Sequence, residues 1–290
     1  HLDRVIDVDF ENWQITVQAG IRLKNLIHEL DQRGMALANV GSVTEQSIAG
    51  AIGTGTHGSG LAYGSLSTQL VRFRLVGGDG HIHTVDRETT PDLYHAAAVS
   101  FGSLGIMTQV TLQVEPTYDI EENAFSMPFE AAVRLAPQLY RDHPRLKFWW
   151  LPHTGQVQVF TYDKTGKPRT PMSAMEERYD RFMNEQVFTA ILGIGSRFSR
   201  AVPFLNRVVG TSYFKPYTRV DRWDRRLTVE MPRASARPIC RASSALRSWM
   251  PRASAKAASM SFVAKFVSMV ISRFSLFGRS GERRRRSPTQ

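Results

Sequence analysis

The sequence predicts an α+β fold: a first unit over residues 1–115 built on a mixed or antiparallel sheet, a second α+β unit over 116–231, and a basic tail over 232–290. Three observations predict it. Two apolar runs at 70–76 and 81–85 flank Gly77-Gly78-Asp79-Gly80, a hairpin signal. No Gly-x-Gly-x-x-Gly spacing directly follows a strand signal, so a doubly wound dinucleotide-binding sheet is not expected. From Met231 onward the composition changes abruptly to Arg, Ser and Ala, and periodicity is lost.

The elements follow in order. Residues 1–8 read as a strand in progress. Residues 14–19 alternate apolar and polar with period two, a strand that Gly20 ends. Leu23, Leu26, Ile27 and Leu30 form one helical stripe, with Gly34 as the stop beyond it. After the hairpin, residues 92–100 read as a short helix and 104–114 as a strand with Val110, Leu112 and Val114 on one face. Glu115-Pro116 is the expected unit boundary. Beyond it, residues 129–140 are helical, with Ala132, Leu135, Ala136 and Leu139 at helical spacing. Residues 147–152 and 156–162 read as paired strands across His153-Thr154-Gly155, and 172–194 as a helix. Residues 187–214 are apolar but carry Arg197, Arg200, Arg207 and Pro203, too many interruptions for a spanning helix of about 20 residues. They read as a buried or partner-covered helix pair, with a helix lying on a membrane surface as the alternative.

The formal net charge of +11 suggests a nucleic-acid partner until it is placed along the chain. Residues 231–290 hold 13 Lys or Arg and one acid, Glu282, which leaves 24 bases and 25 acids before them. The first two units are therefore neutral, and no nucleic-acid partner is expected. The tail repeats Met-Pro-Arg-Ala-Ser-Ala at 231–236 and 250–255 and is expected to be disordered or aberrant. Cys240 is the single cysteine, so an intramolecular disulfide is excluded and a cysteine-based metal site is not expected.

The chemistry concentrates in segment 41–60, Gly-Ser-Val-Thr-Glu-Gln-Ser-Ile-Ala-Gly-Ala-Ile-Gly-Thr-Gly-Thr-His-Gly-Ser-Gly. Six glycines in twenty residues let backbone approach a ligand closely. Successive exposed amides can nest a pyrophosphate, and Ser42, Ser47, Thr54 and Thr56 add hydroxyls. From chemistry alone, a tight irregular connection explains the segment equally well.

The segment closely resembles the FAD-binding core of the vanillyl-alcohol-oxidase/p-cresol-methylhydroxylase (PCMH) superfamily, and most of all that of the aldonolactone oxidases, the group of D-arabinono-1,4-lactone oxidase and L-gulonolactone oxidase. Three further motifs stand in the family's order: Val-Gln-Ala-Gly-Ile-Arg-Leu at 17–23, Gly-Ser-Leu-Gly-Ile-Met-Thr-Gln-Val-Thr-Leu at 102–112, and Phe-Trp-Trp-Leu-Pro-His-Thr at 148–154. The resemblance covers residues 1–230. It implies a PCMH-type FAD-binding domain followed by part of a sugar-lactone oxidase substrate domain. Position by position, it implies FAD contacts at Gly41, Ser42, Ser47, Gly50, Thr54, Gly55, Thr56, His57 and Ile106, the last through its main chain. His57 has a second reading as a cap on its own loop, and His153 is expected to be a satisfied, partly buried histidine.

The resemblance also implies the reaction: hydride transfer from a hydroxyl-bearing lactone carbon to flavin N5, then electron transfer to O2 to give H2O2, with no metal. An alditol oxidase, a lactone dehydrogenase of the same superfamily, or an inactive fragment are the rival readings. A peripheral association with an intracellular membrane is expected from the family. The family's upstream Arg-Ser-x-Gly-His-Ser-like loop and its later His-Trp-Gly-Lys-like motif have no counterpart here. The expectation is therefore an N-terminally truncated domain that holds FAD weakly or not at all, and not covalently. No catalytic residue is assigned.

Overall fold

The computed structural model describes residues 2–182 and 187–228. The basic tail, its repeats and Cys240 lie outside the described residues. In chain order the elements are β1 (Val5–Asp9), β2 (Gln14–Gln18), α1 (Leu23–Asp31), β3 (Met35–Ala36), α2 (Ile48–Gly53), β4 (Leu70–Val76), β5 (Ile82–Asp86), α3 (Pro91–Ala98) and β6 (Ile106–Gln113). Next come β7 (Glu115–Pro116), β8 (Asp119–Pro128), α4 (Phe129–Asp142), β9 (Arg145–Trp150), β10 (Gln156–Thr165), α5 (Ala174–Arg181), α6 (Phe188–Arg197), α7 (Val202–Tyr213), β11 (Tyr217–Arg222) and α8 (Trp223–Leu227).

The first sheet has the order β1-β2-β6-β4-β5, and its neighbours all pair antiparallel. The alternation at 14–18 explains β2: Ile15 and Val17 are fully buried, while Gln14, Thr16 and Gln18 are half-buried. Val17 faces Val110 and Ile15 faces Leu112 on β6, the central strand; Phe73 of β4 meets Val110 from the other side. The hairpin expected at Gly77–Gly80 is present. The Gly77 amide donates to the His81 carbonyl at 3.0 Å, and the Gly80 amide to the Gly77 carbonyl at 3.0 Å. The α1 stripe of Leu23, Leu26, Ile27 and Leu30 is buried as its spacing predicts. Burying each such side chain is worth about 1.5–3 kcal/mol.

The second sheet has the order β11-β8-β10-β9, also antiparallel. Its longest pairing runs from Gln156↔Pro128 to Thr165↔Asp119. Ala132 of α4 packs with Leu146, Val157 and Val159 on one face. On the other side, Ile120, Ala124, Phe160, Tyr162 and Trp223 join the larger apolar cluster that fills the first unit.

The strands β8 and β11 were not expected from sequence. The helix expected at 172–194 is observed as α5 and α6, on either side of 183–186, which lie outside the described residues. Residues 187–214 do form a helix pair, α6 and α7, but its outer face is not buried: Leu192, Ile194, Phe198, Phe204 and Val208 are exposed. Among the described residues, no helix is long and apolar enough to cross a membrane.

Candidate functional site

The glycine-rich segment contains a helix. Residues 48–53 wind into α2 although Gly50 and Gly53 oppose helix formation by about 1 kcal/mol each. Ser47 caps it, its hydroxyl accepting the Gly50 amide at 3.3 Å. The Ile48 amide donates to the Ile21 carbonyl at 2.8 Å and the Ala49 amide to the Ala19 carbonyl at 3.0 Å. The helix start is thus pinned to the corner between β2 and α1. Its first amides are consumed there, so the expected nest of free amides is not formed by residues 48–50.

A cleft of about 360 Å³ opens beside α2, within the range of small-molecule sites. One wall is Ala49, Gly50, Gly53 and Thr54; the other is Ser100, Phe101, Gly102, Gly105, Ile106 and Met107. A methyl on Gly53 or Gly102 would meet no atom within 4 Å, so their backbones are open to whatever fills the cleft. Among the described residues, no protein group accepts the Gly102 amide. Phe101 stands at the rim, 76% exposed with φ 53°, a left-handed conformation that costs a non-glycine residue about 1–2 kcal/mol. Its amide donates to the Gly53 carbonyl at 3.1 Å and ties the two walls together.

The residues singled out in the sequence separate into two groups. Gly50, Thr54 and Ile106 line the cleft. The others shape the approach to it. Ser47 caps α2, and Gly55, with φ +67°, turns the chain out of it. The Thr56 hydroxyl donates to Gln46 Oε1 at 3.3 Å. Gly41 is buried, and a Cβ there would come within 2.7 Å of Thr56 Cγ2. Ser42 is exposed. His57 is exposed and its Nδ1 donates to the Gly58 carbonyl at 2.9 Å, the cap of its own loop.

His153 corrects the expectation of a partly buried histidine. It is exposed at the turn between β9 and β10 with φ +67°, where the tight connection demands a left-handed residue and turns the ring outward. Sequence reasoning missed Gly53, Phe101, Gly102 and Gly105 as cleft residues. The signal for the last two was the Gly-x-x-Gly spacing at 102–105. Gly105, at φ +144°, has no room for a Cβ against the Val76 carbonyl.

Residues 1–86 match the family model described as FAD binding domain, and residues 110–231 that of D-arabinono-1,4-lactone oxidase. Over 206 residues the chain is 32% identical to L-gulonolactone oxidase of Mus musculus, covering 71% of this chain and 46% of that protein. Over 211 residues it is 31% identical to D-arabinono-1,4-lactone oxidase of Kluyveromyces lactis, covering 72% and 39% respectively. The crystal structure of cholesterol oxidase from B. sterolicum superposes with a TM-score of 0.56 at 19% identity, over 73% of this chain and 45% of that one, a likeness of fold. The chain spans less than half the length of these curated relatives.

The fold and the first match define the class: a protein with a PCMH-type FAD-binding domain. Within that class the chain is similar to the FAD-linked lactone oxidases, D-arabinono-1,4-lactone oxidase and L-gulonolactone oxidase among them. FAD is the cofactor of this domain. The cleft fits it in two respects: the missing side chains of Gly53 and Gly102 leave room for close backbone approach, and Ala49, Phe101, Ile106 and Met107 offer apolar wall to a planar ring.

Proposed function

We propose that the protein serves the oxidation of a sugar 1,4-lactone of the D-arabinono-1,4-lactone type, with FAD as electron carrier and O2 as acceptor. The observation that carries this reading is the match of residues 110–231 to the lactone-oxidase model, on the sheet that follows the cofactor cleft in the chain. When bound, FAD would supply the redox chemistry, the two-electron oxidation of the hydroxyl-bearing lactone carbon with O2 as final acceptor and H2O2 as co-product. In this reading Gly50, Thr54 and Ile106 contact the cofactor from the cleft walls. Ser47, Gly55, Thr56 and His57 hold the segment in shape, and Gly41 and Ser42 lead the chain toward the flavin. Gly41, without a Cβ, leaves the least obstruction to O2.

Lactone-dependent peroxide formation tests it, with D-arabinono-1,4-lactone, L-gulono-1,4-lactone and an alditol offered to the FAD-loaded protein. Peroxide from a lactone supports the reading. Preference for the alditol favours an alditol oxidase, and flavin reduction without reoxidation by O2 favours a lactone dehydrogenase. No flavin reduction by any of them rejects the activity.

A second reading concerns location. The exposed apolar side chains Leu192, Ile194, Phe198, Phe204 and Val208 share the α6–α7 region with the exposed Arg197, Arg200 and Arg207. That combination suits a peripheral contact with an anionic intracellular membrane surface. Sedimentation with anionic but not neutral vesicles is the expected result; equal recovery in the supernatant with both rejects it.

A further inference from the structure

Arg145 is fully buried, and among the described residues no carboxylate pairs with it. Its guanidinium lies over the ring of Tyr63 at 4.1 Å and over that of Tyr118 at 5.4 Å. Nη2 donates to the Ala38 carbonyl at 2.5 Å and to the Tyr118 hydroxyl at 3.2 Å. Among the described residues, Nε and Nη1 have no hydrogen-bond partner. An uncompensated buried cation with two unsatisfied nitrogens burdens the fold, and an apolar side chain of similar volume is often neutral or better in such a place.

The Ala38 carbonyl explains what the cation does there. Ala38 belongs to the stretch that leads into Gly41 and Ser42. This stretch has no ladder of its own and is held by side chains instead. Gln69 Oε1 accepts the Ala38 amide at 3.1 Å, and Gln69 Nε2 donates to the Asn39 carbonyl at 2.8 Å. The Tyr118 hydroxyl donates to the Leu37 carbonyl at 3.0 Å. Gln69 precedes β4 of the first sheet. Tyr118 precedes β8 and Arg145 begins β9, both of the second sheet. The segment is therefore gripped from both sheets.

We propose that Arg145 is a positioning residue: it fixes residues 37–42 from the second sheet and so sets the path of the cofactor segment that follows. The proposal rests on the reading of segment 41–60 as the cofactor segment. The charge is kept at a cost to the fold because a cation can grip a carbonyl between two aromatic faces more rigidly than a neutral chain.

The test compares the whole chain with its R145M and R145K variants by denaturant unfolding, amide hydrogen exchange and FAD titration. For R145M, the unfolding midpoint stays the same or rises. Exchange at residues 37–42 quickens about tenfold or more, as loss of a charge-assisted hydrogen bond entails, while β2, β6 and β10 keep their protection. FAD affinity falls about tenfold by the same arithmetic, and R145K recovers part of both losses. Unchanged exchange at 37–42 in R145M overturns the proposal. So does a variant that unfolds or loses protection everywhere, because Arg145 is then an ordinary part of the core. If the unsubstituted chain binds no FAD, that result counts against the cofactor reading, and the exchange data alone decide the role of Arg145.

Discussion

At the scale of single residues, Gly41 is where two roles meet. The family resemblance implies that it leaves a path for O2. The structure shows a packing role as well, since a Cβ at this position would press on Thr56 Cγ2 at 2.7 Å. Gly41→Ala is therefore expected to cost about 1–3 kcal/mol in denaturant unfolding, the usual penalty for overpacking. Thr56→Ser removes the opposing methyl, so the same alanine in that background is expected to lose much less. The pair separates crowding from chemistry. If Gly41 also governs oxygen access, stopped-flow half-reactions of the FAD-loaded double variant still show slower reoxidation by O2 than the T56S protein, with reduction by the lactone unchanged. Equal rates in both half-reactions leave Gly41 with packing alone.

At the scale of elements, short helices stand on their caps. Ser47→Ala removes the side-chain acceptor at the start of α2 and is expected to lower stability by about 1 kcal/mol, measured by urea unfolding. No loss would mean that the two backbone bonds from Ile48 and Ala49 suffice. The helix α5 carries a reciprocal box in which Ser173 accepts the Glu176 amide and the Glu176 carboxylate accepts the Ser173 amide at 2.8 Å. The Ser173 amide, and after it the Ser173 hydroxyl at 2.8 Å, donate to this carboxylate and hold the Glu176 pKa below its ordinary 4.5. The folded value is depressed, so the stabilisation is present above the unfolded pKa and is lost as pH falls through the folded one. An NMR pH titration is expected to show the Ser173 amide signal shifting at a pH below 4.5, and E176Q is expected to abolish that step.

Which elements were legible follows from the same local physics. The stripe of α1 and the alternation of β2 were readable because burial and period coincide. The strand β8 was not, because Glu122 occupies an inward position where an apolar residue would have completed the pattern. It is 7% exposed and is satisfied from later in the chain, by the Tyr217 hydroxyl at 3.1 Å and Arg226 Nη1 at 3.1 Å. The helix α2 was hidden by its glycines and exists through buried Ile48, Ala51 and Ile52. In the site, the residue types of 41–60 were readable but their division of labour was not. Three line the cleft and the rest shape the backbone, a partition that depends on where α2 begins. Phe101 carried no signal, since its strained backbone is a property of the folded turn.

At the scale of the molecule, the two sheets share one apolar cluster. Trp223 is fully buried in it, its ring 6.1 Å from that of Tyr118 and its amide donating to the Tyr118 carbonyl at 3.2 Å. Arg222, next to it, bonds Asp224 at 2.7 Å and also reaches Asp31 at the end of α1. With Arg145 on Ala38 and Tyr118 on Leu37, these ties join the two sheets across the shared cluster. The sequence boundary at Glu115-Pro116 marks a change of sheet, and we expect it not to mark a change of cooperative unit. Far-UV circular dichroism and tryptophan fluorescence, with Trp13 packed on the first sheet's core and Trp150 on the second sheet, are expected to give one coincident transition. Trp223→Ala is expected to lower stability by about 3–5 kcal/mol and to shift both probes together. Trp223→Phe keeps most of the ring and removes Nε1, which has no hydrogen-bond partner among the described residues, so it is expected to cost much less than the alanine. Two resolved transitions in W223A, with the first sheet's signal unmoved, would show that each sheet folds on its own and that the shared cluster is contact without coupling.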